Sequence, residues 1–138
     1  MRRRLIPVNV LIAALLFALL SLDMDQTKLP PAVMKTGRAL YEQECQRCHQ
    51  PGGEGVMGAN PPLTETEWVL GPKKRLIETV VSSPDAAGGF DGNPMPLHPR
   101  LTNQEVADVL TYVRNSFGNK ASAVTAREVK RVRLGKKV

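Results

Sequence analysis

The chain has 138 residues, of which only 4% are aromatic, so a single small domain has few large rings with which to form a core. Domains of this size often depend on a disulfide or a bound cofactor for stability. The net charge of +6 comes from the two ends, because residues 5–119 carry nine basic and twelve acidic side chains. A basic stripe interleaved with aromatic residues is absent from the sequence, and nucleic-acid binding is therefore not expected.

The N-terminal segment 1–22 begins with three arginines and continues as an apolar run from Leu5 to Leu22. A basic region followed by an apolar one is typical of a secretory signal. The match to a small-residue cleavage site is poor, and the run is near the lower length limit for a bilayer span. We therefore expect a signal peptide or a retained membrane anchor rather than a core helix. The basic flank predicts a periplasmic or other extracytoplasmic location for the remainder of the chain.

Residues 23–30 are expected to form a linker, and a first helix to begin at Pro30-Pro31, because proline suits a first helical turn. That helix should end near Cys45–His49. Residues 51–100 contain eight of the eleven prolines and eight of the eleven glycines, which predicts a looped path. Within this region a short helix is expected to follow Gly71-Pro72 and to end before Pro84.

The clearest helix pattern runs from about Asn103 to Phe117. A capping box of Thr102 and Glu105 precedes an apolar stripe, and Gly118 comes directly after it. A second, weaker box at Thr125 predicts a tail helix over about 126–132. Neither an internal repeat nor an alternating strand pattern occurs. The sequence predicts an all-α fold with three to five helices.

The only two cysteines lie in the pentapeptide Cys45-Gln46-Arg47-Cys48-His49. Two thiols three positions apart can each form a thioether to one haem vinyl group, and the adjacent histidine is then placed to bind the iron. We therefore expect one covalently bound haem c, with His49 as a metal ligand. The alternatives are a thioredoxin-like redox pair, a zinc site that includes His98, and a disulfide.

A low-spin electron carrier needs a second axial ligand, and the candidates are Met57, Met95 and His98. Met95 lies in the rigid segment Asn93-Pro94-Met95-Pro96, just before the last long helix. A thioether ligand also raises the reduction potential relative to a second histidine. Met57 is only eight residues from His49 and so is poorly placed to reach the opposite face of the ring. Met95 is the expected metal ligand, and His98 is the alternative.

The sequence resembles class I cytochrome c domains, especially bacterial monohaem domains, over about residues 31–119. The residues that carry this resemblance are Gly37 to Tyr41, Cys45 to His49, Asn60 to Leu63, Trp68, Met95-Pro96 and Asp108 to Asn119.

The resemblance implies contacts within the domain and around the haem. Gly37 and Tyr41 would cross the last helix near Tyr112. The Pro61-Pro62 pair would offer a backbone carbonyl to the outer nitrogen of His49. Leu63 and Trp68 would pack on the haem or near its edge. The cofactor-binding residues implied in this way or by the motif are Cys45, Cys48, His49, Pro62, Leu63, Trp68 and Met95.

The expected function is that of a monohaem electron carrier, not an enzyme, exchanging single electrons between a redox donor and a redox acceptor protein. One alternative is a haem-bearing subunit of a membrane-associated dehydrogenase or oxidase complex. The other is a haem enzyme or gas sensor with an open iron position. The basic C-terminal extension, residues 120–138, is either a solvated segment or a docking arm for an acidic partner or an anionic membrane surface.

Overall fold

The computed structural model describes residues 29–82, 95 and 98–135. The expected signal or anchor segment 1–22 lies outside these residues, as does most of the 23–30 linker. Among the residues described, no helix combines the length and the apolar character that a membrane crossing needs.

Six helices form within the described residues, and they confirm the all-α prediction. Four have eight or more residues, within the expected three to five, and the other two are single turns. They are α1 (Pro31–Glu44), α2 (Gln46–His49), α3 (Glu67–Leu70), α4 (Lys73–Val81), α5 (Asn103–Val113) and α6 (Ala126–Arg133). Sheet pairing in this part of the chain is limited to one isolated bridge between Val56 and Asn60.

Helices α1 and α5 cross at Gly37, where the two backbones come too close for any side chain. A β-carbon built on Gly37 would lie 2.6 Å from the β-carbon of Tyr112 and closer still to the backbone oxygen of Asp108. One turn later, Tyr41 is buried with its ring centroid 5.6 Å from that of Tyr112 and 5.1 Å from that of Phe117. The crossing therefore contains Gly37, Tyr41 and Tyr112, the three residues that the resemblance implied.

Helix α5 is buried on three sides, which explains its unbroken run of buried residues from Val106 to Thr111. Asp108 and Tyr112 face α1 at the crossing. Val109, Leu110 and Val113 line a large apolar cavity. Thr111 faces the C-terminal segment, where its hydroxyl accepts from the Val124 amide at 2.9 Å. The Thr102–Glu105 capping box forms as predicted.

Helix α5 ends at Val113, four residues before the predicted end at Phe117. The Asn119 side chain donates to the Val113 carbonyl oxygen at 2.8 Å, and this replaces the next helical bond. Phe117 and Gly118 then adopt left-handed φ angles of 58° and 85°, which no helix tolerates. A distant amide side chain thus ends the helix earlier than its periodicity indicates.

The segment after Asn119 packs onto the domain, whereas sequence alone favoured a solvated extension. Val124, Val129 and Val132 are buried, and the predicted α6 forms with its own capping box at Thr125. Lys73 on α4 donates to Glu128 on α6 at 3.0 Å. The helical spacing of the two valines of α6 supplies an apolar stripe that is sufficient to hold the helix against α4 and α5.

Arg114, at the end of α5, links that helix by hydrogen bonds to the α3–α4 turn and to the C-terminal segment. Its side chain is buried at 3% exposure and donates to the carbonyl oxygens of Ser122 at 2.9 Å, Gly71 at 3.2 Å and Val69. Burial lowers the pKa of the guanidinium, and the charge of Glu128 opposes this shift. One cation therefore ties the α3–α4 turn and the C-terminal segment to α5.

We predict that Gly37→Ala destabilises the protein. Alanine is favoured over glycine in a helix by roughly 1 kcal/mol. Overpacking typically costs about 1–3 kcal/mol, and here the β-carbon would meet the backbone oxygen of Asp108. We expect the free energy of unfolding to fall by about 1–2 kcal/mol in denaturant titrations of the haem-loaded protein. The exposed neighbour variant Thr36→Ala should change it by less than about 0.5 kcal/mol. Equal stability of the wild type and Gly37→Ala would contradict the close crossing.

The Lys73–Glu128 pair predicts a pH-dependent stability. Burial alone would raise the pKa of Glu128, but hydrogen bonds from Thr125 and the pair with Lys73 outweigh it and hold the pKa below its usual value. A depressed carboxyl pKa stabilises the fold above the unfolded-state pKa of about 4, and this contribution is lost as the pH falls through the folded-state pKa.

Glu128→Gln keeps the capping geometry and removes the charge. It should lower the free energy of unfolding by about 1 kcal/mol at neutral pH. The difference should shrink below about pH 4. The control Glu78→Gln breaks an exposed pair with Lys74 and should cost less than about 0.5 kcal/mol. A deficit of Glu128→Gln that does not depend on pH would show that the pair is not its source.

Candidate functional site

One cavity brings the sequence-predicted site residues together. With its open side, it encloses about 1300 Å³. Its walls are mostly apolar and come from the end of α1, α2, the 59–63 loop, α3, α4 and α5. All seven residues expected to bind the cofactor line it: Cys45, Cys48, His49, Pro62, Leu63, Trp68 and Met95.

Cys45 joins α1 to α2, and Cys48 lies within the single turn of α2. The amides of Cys48 and His49 donate to the Cys45 carbonyl oxygen at 3.1 and 3.0 Å. This turn places both sulfurs on the wall of the cavity, and both thiols are free and half-buried. Burial raises the pKa of the Cys45 thiol to about 11, with smaller effects from Glu44 and Cys48. A redox-active pair of the thioredoxin type needs a lowered thiol pKa, so this alternative is disfavoured.

A zinc site is disfavoured as well. Within the residues that the structure describes, no three or more histidine, cysteine or acidic side chains converge closely enough to hold a metal ion. Cys45, Cys48, His49 and His98 are all among those residues. The four ligands that zinc would need are therefore not assembled.

His49 is oriented for ligation by its own backbone surroundings. Its side chain is 8% exposed, and Nδ1 lies 3.0 Å from the Pro61 carbonyl oxygen. A carbonyl can only accept, so Nδ1 carries the proton and Nε2 keeps a free lone pair. Burial lowers the pKa of His49, while the bond to Pro61 opposes this shift. The neutral ring with an available Nε2 is the form that binds a metal.

The loop that carries Pro61 is fixed by backbone hydrogen bonds at both ends. Gly55 donates to the His49 carbonyl oxygen at 3.0 Å, and Leu63 donates to the Gly53 carbonyl oxygen at 2.7 Å. Gly55 has a φ of 67°, and a β-carbon there would lie 2.7 Å from the Pro61 carbonyl oxygen. The loop therefore needs glycine at this position to bring the carbonyl to His49.

Asn119 holds the same loop from outside, although no sequence motif marks it as a site residue. Its amide nitrogen donates to the Leu63 carbonyl oxygen at 2.8 Å, and its oxygen accepts from the Glu65 amide at 2.7 Å. It lies 56 residues from Leu63, so no local pattern could have revealed the contact.

Two of the three candidates for the second axial ligand, Met95 and His98, line the cavity. Met95 is half-buried and packs against the hydrophobic core. His98 is half-buried, and its Nδ1 lies 3.4 Å from the Glu44 carboxylate, which gives this ring a partner at the end of α1. Met57 is fully exposed and does not line the cavity. Asn93, Pro94 and Pro96, the neighbours of Met95 that the sequence predicts to be rigid, lie outside the described residues.

Trp68 and Arg75 form a stacked pair beside the cavity. The guanidinium of Arg75 lies 4.1 Å from the centroid of the Trp68 ring, which itself lines the cavity. One terminal nitrogen of Arg75 donates to the Glu67 carbonyl oxygen at 3.2 Å. Its Nε is buried and has no partner among the described residues. The Arg75 side chain as a whole is 38% exposed, and a terminal nitrogen lies 3.6 Å from the Glu67 carboxylate. An acceptor beside Trp68 would satisfy the one buried N–H that is left without a partner.

The family model for cytochrome c matches residues 34–117. The chain belongs to the cytochrome c family. This membership confirms the predicted cofactor, a covalently bound haem c, and supports an electron carrier rather than an enzyme.

Three curated relatives illustrate the range of cytochrome c proteins that this chain is similar to. The fructose dehydrogenase cytochrome subunit of Gluconobacter japonicus is 36% identical over 110 residues, which are 73% of this chain and 22% of that protein. The cytochrome c subunit of the quinone-dependent alcohol dehydrogenase of Gluconacetobacter polyoxogenes is 32% identical over 103 residues, 70% of this chain and 22% of that subunit. Cytochrome c-552 of Thermus thermophilus is 29% identical over 113 residues, 72% of this chain and 86% of the relative.

The chain thus spans about a fifth of the length of the dehydrogenase subunits that it matches, and most of the length of the Thermus cytochrome.

The cavity has the features that a haem c requires. It offers two free thiols on one turn, a neutral histidine with an open Nε2, and large apolar walls. The unpaired Nε of Arg75 adds a donor suited to a carboxylate, which is the group that a haem carries as its propionates. Sequence alone favours a solvated surface position for Arg75. Trp68 and Arg75 lie on opposite sides of the Gly71-Pro72 turn, so helical periodicity does not predict that they stack.

We predict that Gly55→Ala disturbs the hydrogen bond between His49 and Pro61 and that Gly58→Ala does not. Both glycines have positive φ angles, so alanine strains the backbone similarly, by about 1–2 kcal/mol. A β-carbon meets Pro61 only at Gly55, and at Gly58 it meets nothing within 4 Å.

Gly55→Ala should therefore lower the free energy of unfolding by at least about 1 kcal/mol more than Gly58→Ala does. It should also raise the reduction potential, because the bond to the Pro61 carbonyl makes His49 a more basic ligand that favours the oxidised iron, and the variant loses that bond. Denaturant titration and potentiometry check the two effects. Equal behaviour of the two variants would contradict the assigned role of Gly55 in this loop.

Proposed function

We propose that this chain is a monohaem c-type cytochrome that passes single electrons between two redox proteins outside the cytoplasmic membrane. Cys45 and Cys48 hold the haem through thioethers, and His49 Nε2 and the Met95 sulfur bind its iron. Bound haem supplies a one-electron Fe(II)/Fe(III) couple. The observation that carries the proposal is the convergence of both thiols, the oriented histidine and Met95 on one apolar cavity.

A filled coordination shell favours electron transfer over catalysis. If His49 and Met95 both bound the iron, no position would remain for a substrate. Fixed ligands also limit the structural change between oxidation states, and the Pro61 carbonyl holds one of them in place. Pro62, Leu63 and Trp68 complete the apolar surroundings, which restrict water and so raise the reduction potential.

Replacement of Met95 tests the second ligand. The oxidised wild type should show the weak far-red absorption band of sulfur-ligated haem iron. Met95→Leu should abolish this band and lower the reduction potential, because a thioether favours the reduced state. The exposed Met57→Leu is the matched control and should leave both unchanged.

His98→Gln should keep the far-red band. Its loss in that variant, or its absence from the wild type, would exclude Met95 as the ligand. Rapid carbon monoxide binding by the reduced wild type would instead favour a haem enzyme or gas sensor with an open position.

The relatives indicate the class of protein with which this chain exchanges electrons. The names of two relatives describe them as cytochrome subunits of dehydrogenases, which favours a second possibility, a haem-bearing subunit of a membrane-associated dehydrogenase or oxidase complex. The chemistry is the same and only the permanence of the partner differs. Purification from detergent-solubilised membranes distinguishes the two, because a subunit should co-purify with a stoichiometric dehydrogenase or oxidase and a free carrier should not.

The extracytoplasmic location is supported by the basic and apolar character of residues 1–22. Thioether formation at paired cysteines also needs them reduced and delivered to a maturation apparatus in an exported compartment. Fractionation of cells that produce the full chain tests the location. Haem-loaded protein should be found in the periplasm or on the outer side of the cytoplasmic membrane, and haem-loaded protein confined to the cytoplasm would contradict it.

A further inference from the structure

Helix α6 presents a basic face to solvent in a fixed orientation. Val129 and Val132 are buried against the domain and set the rotation of the helix. Arg127, Lys130 and Arg131 are consequently exposed, and their spacing of three and four residues places them on one side. The face is part of the folded domain, so its charges keep a defined arrangement.

The charges of this face are not neutralised within the described part of the chain. Glu128 is the single acidic residue of the segment 120–138. Its carboxylate accepts from Lys73 at 3.0 Å and from the Thr125 amide at 2.7 Å, so it is engaged elsewhere. Among the described residues, no ion pair includes Arg127, Lys130 or Arg131. The face therefore suits an anionic partner.

The basic face belongs to a helix that takes no part in lining the cavity. The cavity is lined by Val109, Leu110 and Val113 of α5, whereas the C-terminal segment packs on a different side of that helix, at Thr111 and Arg114. No residue of α6 lines the cavity. A partner bound to α6 would therefore not contact the cavity lining, which fits an attachment surface better than an electron donor or acceptor.

An exposed apolar residue continues the basic face. Leu134 comes directly after the helix and is 59% exposed. It lies three and seven residues after Arg131 and Arg127, on the same side of the helix. Leu134 therefore adds to the basic side one apolar side chain that is suited to enter the headgroup region of a bilayer. The sequence continues with Lys136 and Lys137, which add two positive charges.

We propose that the outward face of α6, formed by Arg127, Lys130, Arg131 and Leu134, binds an anionic phospholipid surface. The inference rests on the proposed extracytoplasmic location, where the apolar segment 1–22 would bring the domain to a membrane. Each basic residue near an anionic bilayer strengthens binding by about fivefold, and salt screens the effect.

The test uses the reduced, haem-loaded full chain labelled with ¹⁵N, in bicelles that carry a spin label at the headgroup. Relaxation of the backbone amides then reports which face approaches the lipid, whether or not the N-terminal segment is retained. Bicelles of phosphatidylcholine alone are compared with equimolar phosphatidylcholine and phosphatidylglycerol. The variant Lys130→Gln/Arg131→Gln is compared with the control Lys35→Gln/Arg38→Gln, which removes the same two charges from exposed positions on α1.

We expect the amides of residues 127–134 to relax faster than those of α1 in anionic bicelles, and this difference to disappear in neutral bicelles and in high salt. The α6 variant should lose the effect, and the α1 control should keep it. Absence of any lipid-dependent difference at α6, or an equal loss in both variants, would overturn the proposal. A response of α6 to soluble polyglutamate with none to anionic lipid would also overturn it, in favour of an acidic protein.

The optical spectrum of the same samples separates this inference from the proposed electron-carrier function. If the haem bands of both variants match the wild type, the absence of a lipid effect at α6 does not contradict the proposed electron-carrier function. A chain that carries no haem fails the function in every sample, independently of lipid.

Discussion

Helices α1 and α5 cross at Gly37 with no space for a β-carbon, and this contact determines where the rest of the site lies. The crossing sets the distance between the end of α1, which continues into the cysteine turn, and the side of α5 that lines the cavity. A displacement of a few tenths of an ångström along α1 would move Cys45 and His49 relative to Val113. The glycine is therefore a requirement of the cavity as well as of helix packing.

The cavity results from this crossing and from a shortage of large side chains. The buried apolar residues are mostly valines and leucines, and they surround a space that they do not fill. A haem supplies the missing apolar volume, so the cofactor is both the redox centre and a large part of the core. The same dependence explains how the proline- and glycine-rich loop from Gln50 to Leu63 keeps one conformation. It packs beside the cavity and gives its Pro61 carbonyl to His49.

Sequence reasoning was most successful where the determinants are local. The cysteine motif, the capping boxes at Thr102 and Thr125 and the apolar stripes of the long helices depend on residues within a few positions of one another. The structure confirms these helices. The family match then confirms the covalent haem.

The contacts that sequence reasoning missed join distant positions. Arg114 donates to carbonyls 43 and 45 residues away, and Asn119 ends α5 while holding the loop of Leu63. Arg75 stacks on Trp68 across a turn. The many charges of the C-terminal segment favour a solvated extension. The structure instead shows two buried valines, one turn apart, that hold α6 to the domain.

The most direct test of the central claim is the intact mass of the exported protein under denaturing conditions. We predict that it exceeds the polypeptide mass by one haem, and that Cys45→Ser/Cys48→Ser loses this increment. A mass without haem, or a haem that dissociates on denaturation of the wild type, would contradict the covalent attachment on which the proposed function depends.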